Sequence, residues 1–220
     1  MTTVAETVYK CPLCGFAHTT DCMTSTSAFG APDLDGRPSP MARLTIYLFI
    51  KECPNCGFTS YGFPEHTSVS REFIQSDNYL NCDNIDFKTE RAKLFYRVYL
   101  ISKEEGMMNR ALTDLVHCAW VCDDDDDEEN SIKLRLLIND LFNELYDFKS
   151  DEEDYAHLIK LDFMRRGHLF DELIEEVRHK TFSKSFYNKV KDFQMEKAKN
   201  RDAGKYTFDD IEGYEEYKYG

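Results

Sequence analysis

Two short near-copies constrain this chain more than anything else in it: Cys11-Pro12-Leu13-Cys14-Gly15-Phe16 and Cys53-Pro54-Asn55-Cys56-Gly57-Phe58. Each reads C-P-x-C-G-F, and residues 15–52 separate the two cysteine pairs. Four thiolates delivered as two C-x-x-C pairs are what a structural zinc ion needs for a closed tetrahedral shell. Glycine after the second cysteine can take the left-handed conformation that wraps the chain round a metal, and proline inside the pair stiffens the turn. A pair of thioredoxin-like redox centres would need each C-x-x-C to open a helix, and glycine plus phenylalanine is a poor opening. Disulfides would need an oxidising compartment, of which the sequence gives no sign. One structural Zn2+ held by Cys11, Cys14, Cys53 and Cys56 is the expected cofactor.

Composition narrows the remaining classes. The longest apolar run, Leu44 to Ile50, is far too short to cross a bilayer, so no membrane association is expected. The first residues have no basic segment followed by an apolar one, and eight cysteines without an export signal point to a reducing cytoplasm. The net charge is -14, with 41 acidic against 27 basic residues, and neither the part before Cys82 nor the part after it is basic. Phosphate neutralisation supplies most non-specific nucleic-acid affinity, so this balance argues against a general DNA or RNA binder.

Taken in order, Thr7–Lys10 reads as a short strand into the first knuckle, and residues 16–42 as irregular, with Gly30, Pro32, Gly36, Pro38 and Pro40 as punctuation. Arg43–Lys51 reads as the clearest strand, since Leu44, Ile46, Leu48 and Ile50 alternate onto one face. Residues Phe58–Phe63 can return antiparallel to it, which completes the layout of a zinc ribbon. His18, Asp21 and Cys22 in the first loop, and His66, are candidate ligands for a second ion, but a polar loop near a zinc site is the plainer reading.

Beyond Asp83 the apolar period lengthens to about three and a half. Phe87, Arg91, Leu94, Val98 and Ile101 mark a helix ending at Gly106, and Leu112, Leu115, Val116, Ala119 and Trp120 mark a second. Cys118 and Cys122 on that helix could share a metal, although a half-buried face is the plainer use. Asp123–Glu129 is an unbroken run of seven acids, expected to be a solvated loop between helices. Helices then follow on Leu134–Phe148, from a capping box at Ser150-Asp151-Glu152-Glu153 to Gly167, on Leu169–His179, and on Phe182–Phe193. The tail, Tyr206–Gly220, is acidic and tyrosine-rich, and is expected to be frayed or a short partner-binding segment.

The fold class is therefore α+β, mostly α: a zinc ribbon with connector over 1–82, an antiparallel helical-repeat domain over 83–203, and a tail over 204–220. Met164-Arg165-Arg166-Gly167-His168-Leu169-Phe170-Asp171-Glu172-Leu173 resembles the turn between the two helices of a tetratricopeptide-type repeat. With the knuckles Cys11–Gly15 and Cys53–Phe58 ahead of helical hairpins from about Phe87 to Val177, the chain resembles a bacterial family of uncharacterised proteins with paired C-P-x-C-G knuckles and tetratricopeptide-like helices. That resemblance implies zinc and a helical scaffold but brings no known reaction. A zinc-stabilised module that binds a partner protein is the expected function, with exposed Tyr96 or Tyr99 as candidate contacts. The alternatives are a nucleic-acid-binding ribbon using Lys10, Arg37, Arg43, Lys51 and Arg71, and a thiol redox sensor or enzyme. No H-E-x-x-H, G-x-x-x-x-G-K or G-x-S-x-G motif is present, so no catalytic residues are assigned.

Overall fold

A computed structural model describes residues 1–62 and 64–219; Phe63, the last residue of the expected return strand, and Gly220 lie outside the described residues. The architecture is α+β and mostly helical. The chain divides into two compact units: Met1–Ala28 with Pro40–Ser131, and Phe29–Ser39 with Ile132–Gly220. This division does not run at Cys82, and it assigns residues 29–39 to the same unit as the C-terminal helices.

The first unit begins with two antiparallel hairpins. Strands β1 (Thr3–Lys10) and β2 (Ala17–Ser25) pair with each other, with Tyr9 opposite His18 and Glu6 opposite Asp21. Strands β3 (Ile50–Glu52) and β4 (Thr59–Tyr61) form a second, shorter sheet. Two expectations are corrected here. Residues 17–25 form a strand, because the first knuckle turns the chain straight back along β1. Residues Ala42–Leu48 form a 3-10 helix, and only Ile50–Glu52 remain extended. Thr45 Oγ1 donates to Ala42 O at 2.8 Å and closes the helical turn, and β1 is already paired with β2. Thr45, Ile46 and Leu48 are buried while Leu44 and Tyr47 face outward, so adjacent Thr45 and Ile46 share the inner side, which a strand's alternation would not allow.

Short helices α1 (Arg71–Ile74) and α2 (Asp77–Leu80) follow, capped by Ser70 and Ser76, whose hydroxyls accept from the N–H groups of Phe73 and Tyr79. Helix α3 (Glu90–Glu104) starts at a Thr89 cap and stops at Gly106, whose φ of +71° reverses the chain into α4 (Met108–Asp124). So short a connection makes α3 and α4 an antiparallel pair, and β3 and β4 pack on α3. Tyr96 and Tyr99 are buried, so they serve the core and are not the surface contacts expected for them. Cys118 and Cys122 lie fully buried on α4, as the plainer reading has it.

The acidic run is likewise more than a solvated loop. It spans the end of α4, a turn, and the start of α5 (Glu128–Leu145). Asp127 is buried and accepts from Lys88 N at 3.0 Å and Asn130 Nδ2 at 2.9 Å. Asp125 bonds Thr89 Oγ1 and Arg91, and Ser131 Oγ donates to Asp123 at 2.6 Å. These donors, together with the positive ends of the dipoles of α3 and α5, offset the mutual repulsion of the carboxylates.

In the second unit, α6 (Asp154–Arg166), α7 (Phe170–Val177) and α8 (Ser185–Lys199) enclose a core of Leu158, Leu161, Leu173, Val177, Phe186 and Val190. Ser150 caps the turn ahead of α6, accepting from Glu152 N at 3.2 Å. Of the two expectations for the tail, frayed or partner-binding, fraying is overturned, because the segment is anchored. Leu34 N donates to Tyr206 O at 2.9 Å and Phe208 N to Pro32 O at 3.0 Å, and Phe208 and Ile211 are buried in the core. The guanidinium of Arg165 holds the approach to this segment, donating to Asp202 O at 2.9 Å and Gly204 O at 2.8 Å. Helix α9 (Tyr214–Tyr219) then stacks Tyr217 on Phe186 with ring centroids 4.5 Å apart.

Candidate metal centre

Each knuckle sits at the tip of a hairpin, and the two are built alike. Cys11 N donates to Phe16 O at 2.8 Å and Gly15 N to Cys11 O at 2.9 Å; Cys53 N donates to Phe58 O and Gly57 N to Cys53 O, both at 2.8 Å. Gly15 and Gly57 take φ of +75° and +76°, a conformation a side chain would strain, so each C-P-x-C-G-F repeat writes the same loop.

The two loops bring their four thiols together. All four Sγ atoms lie within 4.8 Å of one another, with Cys11 Sγ 3.7 Å from Cys56 Sγ and Cys14 Sγ 3.6 Å from Cys53 Sγ. Thiolates about 2.3 Å from a tetrahedral ion stand roughly 3.8 Å apart, so the donor set fits a four-coordinate metal. Cys11 and Cys53 are buried, while Cys14 and Cys56 are partly accessible. Burial and the neighbouring sulfurs push the Cys56 thiol up, and burial also raises Cys11. Burial opposes ionisation of Cys14 too, but hydrogen bonds from the Asn55 amide, the Phe16 N–H and the facing thiols bring it to about 6. A cation is what would hold all four as thiolates at once.

Residues with no cysteine signature complete the site. Tyr79 of α2 fixes the second knuckle: its hydroxyl donates to Gly57 O at 2.9 Å, receives Thr59 N at 3.2 Å, and lies 2.9 Å from Thr59 Oγ1. Burial raises its pKa to about 12. Tyr9 OH lies 3.2 Å from Ser60 Oγ and joins β1 to β4. Asn55 Nδ2 lies 3.5 Å from Cys14 Sγ, so the variable position of one knuckle supports a ligand from the other. Buried Lys51 donates to Leu48 O at 2.8 Å and to Asp21 O, tying β3 to β2, and burial lowers its pKa. Asn55 stands inside the motif and was visible to it. Tyr79, more than twenty residues downstream, carries no local signal.

Other candidates fall outside the cluster. Among the described residues the four cysteines are the one His/Cys/Asp/Glu group that could hold a metal ion. His18 stacks on Phe16, and Cys22 lies on β2. His66 is exposed. Of the basic residues considered for phosphate contact, Arg37 and Lys51 are buried. Among the described residues no helix is long and apolar enough to cross a membrane. The chain matches no protein-family model, no curated protein and no solved structure.

Proposed function

We propose that the chain is a zinc-stabilised protein-interaction module in which the ion has a structural role and the helices form the scaffold. The observation that carries this reading is the four-sulfur cluster, spaced for a tetrahedral ion. Four thiolates favour zinc over the harder divalent cations, and a shell closed by cysteine leaves no position for water or substrate. Both points support a structural ion over a catalytic one. The net charge of -14 and the burial of Lys51 count against phosphate binding by the ribbon. The antiparallel pair α3–α4 and the closely connected α6 and α7 support a scaffold of tetratricopeptide-like character. A reducing cytoplasm is the compartment that suits four metal-bound thiolates.

Elemental analysis should find one zinc per chain, and cobalt substitution should give the absorption of a tetrahedral four-thiolate site. Cys53→Ser should abolish both. Retention of zinc by Cys53→Ser would sink the metal assignment. A native pull-down with and without nuclease tests the interaction role. Specific proteins retained after nuclease and lost with Cys53→Ser support it, whereas recovery of nucleic acid in their place overturns it.

A further inference from the structure

Strand β1 is the most exposed of the four strands. Every β1 residue except Tyr9 is exposed, with Val4 at 46% and Val8 at 69%. A groove of about 650 Å³ is lined by Thr7 to Pro12 in succession, with Gly15, Pro64 and Glu65, and by no residue of β2. The groove borders β1 over Thr7–Lys10, and Pro64 and Glu65 supply its other wall. The parity of the outer edge of β1 follows from the knuckle. Cys11 N–H points to β2, where it meets Phe16 O, so the amides of Lys10, Val8 and Glu6 point the other way. β1 contains no proline, carries charge only at Glu6 and Lys10, and has its register shift at Thr3/Val4, so the stretch from Glu6 to Lys10 has few of the devices that protect an edge from pairing. A two-stranded ribbon of this length is also marginal alone and gains from further strands.

We propose that β1 pairs antiparallel with β1 of a second copy about Val8, joining two ribbons into one four-stranded sheet. The charges select this occupant and register. Within its own ribbon Glu6 stands opposite Asp21, a like-charge pair, while Lys10 stands opposite Ala17. Centring the pairing on Val8 sets Glu6 of each copy against Lys10 of the other and Val8 against Val8. The ladder stops where Pro12 offers no N–H.

The test is sedimentation equilibrium of the metal-loaded full chain over a wide concentration series, with metal content measured for every variant. The wild type should show a monomer–dimer equilibrium. Glu6→Lys should weaken the dimer roughly tenfold, because two facing charge pairs turn repulsive. It should leave ribbon stability unchanged or higher, since the new cation faces Asp21. Glu6→Lys with Lys10→Glu should restore the dimer. Val8→Pro removes one outward N–H and no β1–β2 bond, so it should abolish dimerisation with zinc retained. A wild type that stays monomeric throughout overturns the proposal, as does a dimer indifferent to Glu6→Lys or Val8→Pro.

Discussion

The two knuckles share five of six residues and one backbone geometry, yet their surroundings differ. Phe58 is 1% exposed and Phe16, at the same motif position, is 43% exposed. The second knuckle closes a short hairpin that packs on α3 and is held by the hydroxyl of Tyr79. The first closes a longer hairpin whose outer strand is almost wholly in solvent. A six-residue motif thus sets the loop and aims the ligands, and the burial around it is decided by what the rest of the chain lays against it. The second knuckle rests on a packed base, whereas the first is tied to it through Tyr9 OH on Ser60 Oγ and through Lys51 on Asp21 O.

The strongest way to break that comparison is to remove the metal. Structural zinc contributes on the order of 10 kcal/mol in small domains, so stringent chelation should cost β1–β2 its order. Hydrogen exchange should show Tyr9 and Cys11 losing protection while Thr59 and Ser60 keep part of theirs. Equal loss across both hairpins would show that the second knuckle has no support of its own. The next largest effect comes from the matched phenylalanines. Phe58→Ala should cost about 3–5 kcal/mol in a denaturant titration of the zinc-loaded protein, and Phe16→Ala less than about 1 kcal/mol. Similar costs would contradict the asymmetry.

Tyr79→Phe sharpens the comparison at a single oxygen. It removes the partner of Gly57 O and of Thr59 N and Oγ1 without changing the ring's packing, at a cost of roughly 2–3 kcal/mol. Protection loss should centre on Gly57–Thr59 and spare Cys11–Gly15. An effect spread evenly over both knuckles would show that the hydroxyl is not a local anchor.

How much of this was legible in the sequence follows from the same contrast. Cys11, Cys14, Cys53 and Cys56 could be read because a metal loop is written in consecutive residues, and most helices because their apolar period spans several turns. Tyr79 could not, since its partners at Gly57 and Thr59 are distant in sequence. Alternation at Leu44, Ile46, Leu48 and Ile50 misled because a strand needs a partner, and the neighbouring hairpins pair within themselves; Ile46 and Leu48 are buried from a 3-10 helix instead. The acids at 123–129 looked solvated by charge alone, whereas Asp125 and Asp127 meet groups at the start of α3. The tail looked frayed because its partner, residues 32–34, lies at the opposite end of the sequence.

The smallest effect concerns the base under the second knuckle, where β4 meets α4. The His117 ring stacks on Tyr61 at 5.3 Å between centroids, also meets Phe95 and Trp120, and burial depresses its pKa to about 4. One turn earlier, Asp114 is raised to about 6 by burial, although it accepts from Ser102 Oγ at 2.6 Å and lies near Arg110. The two act in opposite directions. A histidine with a depressed folded pKa loses stability as pH falls from about 6.5 towards 4, amounting to about 2 kcal/mol between pH 7 and pH 5. A carboxyl with a raised folded pKa costs stability as pH rises from about 4 to 6, so acidification returns about 1 kcal/mol over the same interval. In the wild type these contributions partly cancel. Measured as the difference from wild type, so that proton competition at the cysteines drops out, His117→Phe should gain about 2 kcal/mol of relative stability from pH 7 to pH 5. Asp114→Asn should lose about 1 kcal/mol over that range. Parallel pH profiles for the two variants would mean that neither group titrates in the packed base, and that acid reaches this unit through the thiolates alone.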